Sequence, residues 1–88
     1  MSKINQLLSD LIKNAAPIGL SSRDISNAQE YLEYREYGLC FDTLVTQLYE
    51  FDIEINEEYY AMIVKAADAM QLPVEEYSFM RELIRNKM

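Results

Sequence analysis

Apolar residues recur at helical spacing in five stretches of this chain. The widest arc runs from Leu39 to Phe51, where Cys40, Phe41, Leu44, Val45, Leu48 and Phe51 share one side. Asp42, Thr43, Thr46, Tyr49 and Glu50 form the opposite, polar stripe with the same period. So broad an arc predicts a helix with neighbours on more than one side, and the rest of the chain is expected to pack around residues 35–56. Gly38 stands where a preceding helix would close in the left-handed conformation. Asp52 to Ile55 is too short and acidic for a further element, and Asn56 is suited to cap the next helix.

The flanking stretches follow the same rule. Ile4, Leu7, Leu8, Leu11, Ile12 and Ala15 predict a first helix over Lys3 to Ala16, ended by Pro17, since the residue before a proline is pushed out of helical geometry. Ile18, Gly19 and Leu20 are then a short apolar connection. Ser21 or Ser22 caps a second helix reaching about Tyr37, with Asp24 in its first turn and Ile25, Ala28 and Leu32 inward. Its outer face carries Glu30, Glu33, Tyr34 and Tyr37 at i, i+3, i+4 and i+7. Behind Asn56, the stripe Tyr59, Ile63, Ala66, Ala67 and Met70 predicts a fourth helix. Leu72-Pro73 breaks it, and a fifth starts at Glu75-Glu76 with Tyr77, Met80, Leu83 and Ile84 inward and Phe79 at the margin. The fold class expected is all-α, a single domain over 1–88 built as a bundle of about five short helices.

Length and composition agree with that expectation. A chain of 88 residues, 50% hydrophobic, makes one small domain that buries roughly 60–65% of its unfolded surface. Two glycines and two prolines leave few breaks, which favours helices over a many-turned β design. A lone cysteine excludes an internal disulfide framework and suits a reducing compartment. No stretch has the apolar length of a signal peptide or a membrane span, so the location expected is cytoplasmic.

Charge narrows the partners. The net charge of −7 argues against direct nucleic-acid binding, which needs a basic surface to displace counterions. The charge is also concentrated: residues 23–58 hold ten carboxylates against Arg23 and Arg35, a net of −8. Such a run serves solubility, or a face shaped for a basic partner.

Candidate chemistry is sparse. Histidine is absent, which removes the usual general base and the commonest zinc ligand. Cys40 falls on the apolar arc and reads as an inert core thiol. Glu57 and Glu58 are adjacent and point apart on a helix. Asp52, Glu54 and Asn56 alternate like calcium ligands, but an EF-hand loop needs glycine where Glu57 stands and glutamate where Ile63 stands. No enzyme activity, metal or cofactor is expected.

The central motifs bear a family resemblance. Glu36-Tyr37-Gly38, Thr43-Leu44, Gln47-Leu48-Tyr49-Glu50, Asp52-Ile53 and Glu57-Glu58-Tyr59 follow one another in the order of the MafI family of immunity proteins. The chain resembles that family over residues 29–72, with Cys40 and Phe41 where the family pattern has smaller residues. The resemblance implies a small bacterial antitoxin of the contact-dependent growth inhibition type. Such a protein neutralises the cognate toxin's C-terminal domain, here a basic nuclease with an EndoU-like ribonuclease as first choice. Inhibition would then be stoichiometric, with carboxylates taking the place of phosphates and tyrosines supplying anchor area. The partner-binding residues expected are Glu30, Glu33, Tyr34 and Tyr37 with Glu50, Asp52, Glu54 and Glu58. A small acidic adaptor or regulatory subunit is the alternative.

Overall fold

The computed structural model describes residues 3–85, and they form five α-helices followed by two 3-10 segments. The helices are α1 (Lys3–Lys13), α2 (Ala15–Ile18), α3 (Ser22–Glu33), α4 (Tyr37–Glu50) and α5 (Glu57–Ala69). The all-α bundle predicted from the periodicity is the fold observed. Among the described residues the one β-type pairing is an isolated parallel bridge between Ile55 and Ile84.

The α4 arc buries Cys40, Phe41, Leu44, Val45 and Leu48, as its pattern requires. Phe51 does not join them. It lies one residue beyond the helix, at the C-cap, and is 62% exposed. α3 and α4 form the most closely packed pair, while α1 touches α2, α3, α4 and α5. The chain therefore packs around α1 as much as around α4, because α5 lays its stripe of Tyr59, Ile63, Ala66 and Ala67 mainly on α1. Leu8 and Leu11 of α1, Leu44 and Leu48 of α4 and Ile63 of α5 are each almost wholly buried.

Helix ends depart from expectation in an instructive way. Pro17 does not end the first helix; the break falls at Asn14, whose side chain donates to the Asp10 carbonyl at 2.8 Å. Pro17 sits inside the single turn of α2, where its missing N–H has no intrahelical partner to lose. The left-handed residue between α3 and α4 is Arg35 (φ 58°) rather than Gly38, which lies inside α4. Consequently Tyr37 belongs to the first turn of α4 and not to the outer face of α3. Asp52 (φ 52°) and Gln71 (φ 59°) close α4 and α5 in the same manner. In all three the following N–H reaches back five residues: Glu36 to Tyr31, Ile53 to Leu48 and Leu72 to Ala67, at 2.9–3.0 Å. Those bonds satisfy the terminal carbonyls, as in a Schellman closure.

The two predicted caps are present. Ser21 Oγ accepts the Asp24 N–H, and Asn56 Oδ1 accepts the Tyr59 N–H at 2.7 Å. Asp24 is the one buried charged residue among those described. Its carboxylate accepts from Ser21 Oγ (3.1 Å) and from Gln47 Nε2 of α4 (3.0 Å), tying the start of α3 to the last turn of α4.

The expected fifth helix is not α-helical. Val74–Glu76 and Ser78–Leu83 are 3-10 segments separated at Tyr77. Three residues per turn align side chains at i and i+3, and Tyr77, Met80 and Leu83 are spaced by three. Met80 and Leu83 are buried and Tyr77 is half-buried.

Candidate interaction surface

α3 and α4 run antiparallel, since Asp24 near the start of one meets Gln47 near the end of the other. This fixes where the expected partner-binding residues fall. Glu30 and Glu33 in the last turn of α3 and Tyr34 at its C-cap lie at the α3–α4 turn, all exposed, with Tyr34 at 70%. Leu39, also exposed, is at the same end. Tyr37 is half-buried against the core. Glu50, Asp52, Glu54 and Glu58 gather at the other end of α4 and along the loop into α5, all exposed. Fourteen residues of α4 separate the two groups, about 20 Å at the helical rise. The eight residues are thus two acidic patches at opposite ends of a hairpin, not one continuous face.

The patches differ in their partners. Glu30, Glu33 and Tyr34 make no hydrogen bond or ion pair with another described side chain. At the other end, Asp52 pairs with the Arg85 guanidinium, the one ion pair among the described residues. Tyr49 Oη donates to Glu82 Oε1 at 3.0 Å and packs edge-on against Phe79. That hydrogen bond to a carboxylate, together with the negative charge of Glu82, raises the Tyr49 pKa above its ordinary value.

Depressions lie between the elements. One, of about 720 Å³ between α3 and α4, is flanked by Tyr31 and Phe51 and floored by polar side chains, including Asp24, Asp42 and Thr46. Some of its polar groups are engaged with one another: Thr46 Oγ1 with Asp42, and Gln47 with Asp24. Another is a trough of about 590 Å³ beside the start of α5, with Ile18, Ile55 and Ile84 along it and Glu54, Glu57 and Glu58 around it. Sequence reasoning missed the trough because its apolar residues come from three distant parts of the chain. The Ile55–Ile84 bridge brings two of them together, and Ile18 of α2 lines the same trough.

Cys40 and Tyr59, both titratable, are buried in the core. Burial pushes the Cys40 thiol up to about 11, so the thiolate is scarce at neutral pH. Burial, and then Cys40 beside it, also raises the Tyr59 pKa; Tyr59 Oη donates to the Leu11 carbonyl at 2.8 Å. Among the described residues no three His, Cys, Asp or Glu side chains are grouped to hold a metal ion. No helix among them is long and apolar enough to cross a membrane.

Comparison of the chain with protein-family models, with curated proteins and with solved structures finds no match.

Proposed function

We propose that this small helical protein is an immunity protein. It binds a cognate bacterial toxin domain in the cytoplasm and neutralises it one to one, without turnover. The observation that carries this reading is the disposition of charge on the fold. Of the ten carboxylates in residues 23–58, nine are exposed, and only Asp52 is ion-paired to a described residue. Such a surface is complementary to the basic cleft with which a nuclease holds phosphates. Charges so placed accelerate encounter, and an exposed aromatic such as Tyr34 supplies area that slows dissociation once buried. The order of motifs shared with MafI immunity proteins supports the same reading and makes an EndoU-like ribonuclease the first candidate toxin.

The test is co-expression with the C-terminal domain encoded immediately upstream. Restored growth of cells making that domain is the expected result. Continued killing, with both proteins present and folded, contradicts the proposal.

A further inference from the structure

The trough beside α5 is apolar along its floor and, among the described residues, carries a single sign of unbalanced charge on its rim. Ile18 of α2 and Ile84 after the second 3-10 segment are half-buried, leaving apolar surface open between them, and Ile55 lies beneath at 2% exposure. Glu54, Glu57 and Glu58 surround this floor, all exposed and none ion-paired among the described residues. The one cation lining it among the described residues, Arg85, has its guanidinium held by Asp52. A further depression of about 310 Å³ continues the trough past Ile18, Asn56 and Glu58 to Pro17 and Met62. The result is an extended apolar channel with carboxylates along its edge.

We propose that this channel docks a basic, extended segment of the partner protein, one that alternates Lys or Arg with aliphatic residues. Lysine and arginine lay their methylene stems on apolar surface while the charged head reaches out to a polar rim. Here the stem would lie over Ile18 and Ile84 and the head would meet Glu54, Glu57 or Glu58. An anionic ligand is repelled by the same rim. A wholly apolar segment would leave the three carboxylates unanswered. The depression between α3 and α4 is a poorer match: a cation, Arg23, lines it, and the carboxylates of Asp24 and Asp42 already accept hydrogen bonds from Gln47 and Thr46. The identification of the partner as a toxin domain rests on the function proposed above; the chemistry of the segment does not.

The probe is a synthetic Lys-Leu-Lys-Leu-Lys peptide titrated into the full chain while the isoleucine methyl resonances are followed. Ile18 and Ile84 should shift together and saturate, with binding weakened by salt. Glu-Leu-Glu-Leu-Glu should leave them in place, and Lys-Ser-Lys-Ser-Lys should bind more weakly. The triple variant Glu54→Gln, Glu57→Gln, Glu58→Gln should lower affinity for the first peptide about tenfold. The pair Glu75→Lys and Glu76→Lys, outside the channel, should not weaken it. Methyl shifts at Ile18 and Ile84 that appear with protein concentration alone would assign the channel to a second copy and overturn the proposal. So would peptide-induced shifts centred on the Tyr34 end, or none at all. If growth is rescued by co-expression but the peptide leaves the channel untouched, the docking site is wrong and the immunity reading stands. If the peptide binds the channel and growth is not rescued, the reverse holds.

Discussion

The helical bundle and the C-terminal 3-10 strap are built on different principles, and two tyrosines of the bundle show how, one bonded within it and one bonded to the strap. Tyr59 of α5 is 3% exposed and donates to a backbone carbonyl of α1, so its hydroxyl is satisfied inside the core. Tyr49 is 42% exposed and donates to Glu82 of the strap, in competition with water. The bundle is held by buried area and closed helix ends. The strap is pinned by Met80 and Leu83 beneath, by the Ile55 N–H donating to the Leu83 carbonyl, and by surface contacts. Those contacts include Arg81 over the Tyr60 ring and Arg85 on Asp52. Buried groups of this kind contribute more than exposed pairs, which typically supply about 0–1 kcal/mol. The strap should therefore be the part that opens first.

The largest effect should come from the bundle. Leu48 is fully buried, and Leu48→Asp places an unpaired charge among apolar neighbours. That should cost several kcal/mol against a total of about 5–15. Loss of the cooperative thermal transition by circular dichroism is the expected result. An unchanged melt would contradict the placement of α4.

Alkali should separate the two regions next. Tyr59 and Cys40 both hold their protons more tightly folded than unfolded. Stability is therefore flat below the unfolded values and falls as pH rises past them. For Cys40 the window runs from its ordinary 9.0 to about 11; for Tyr59 the fall begins at about pH 10. Each group adds a slope approaching about 1.4 kcal/mol per pH unit within its window. Tyr59→Phe should cost about 1–2 kcal/mol at neutral pH and flatten the decline above pH 10 in denaturant titrations. An alkaline limb unaltered by Tyr59→Phe would place the titrating group elsewhere.

The helix ends offer a gain. Arg35 and Gln71 hold left-handed backbone without being glycine, a conformation costing L-residues roughly 1–2 kcal/mol. Arg35→Gly and Gln71→Gly should each raise stability by about 0.5 kcal/mol, after the greater freedom of glycine in the unfolded chain is subtracted. Destabilisation by both would show that these side chains contribute contacts outweighing the strain.

The smallest effect should come from the strap's ion pair. Asp52→Asn keeps a residue tolerant of the left-handed conformation and removes the charge facing Arg85. A loss of about 0.5 kcal/mol or less, vanishing at high salt, is expected. A loss of several kcal/mol would mean that the strap is integral to the bundle.

Much of this contrast could be read in the sequence, and the failures have physical causes. Helices α3, α4 and α5 were legible because their apolar stripes keep a 3.6-residue period and Ser21 and Asn56 announce their starts. Their ends were less so. The glycine rule pointed to Gly38, whereas left-handed closure fell on Arg35, Asp52 and Gln71, where backbone hydrogen bonds outweigh the local preference. The strap is ambiguous in sequence: Tyr77, Met80 and Leu83 stand three apart, as a 3-10 segment aligns them, while Tyr77, Met80 and Ile84 also fit an α-helix. The acidic segment was plain from composition, but its division into two ends of a hairpin required knowing that α3 and α4 pair antiparallel. The apolar channel, assembled from residues 18, 55 and 84, left no local signal.

Under the proposed function, this fold inhibits by occupying a toxin, not by acting on it. Titrating the purified protein into a fixed amount of the upstream-encoded toxin domain, with nuclease activity as the readout, tests this directly. A linear fall in activity that ends at about one equivalent is the expected result. Suppression at a small fraction of an equivalent would reveal catalytic modification of the toxin and contradict inhibition by occupancy, as would full activity in the presence of excess protein.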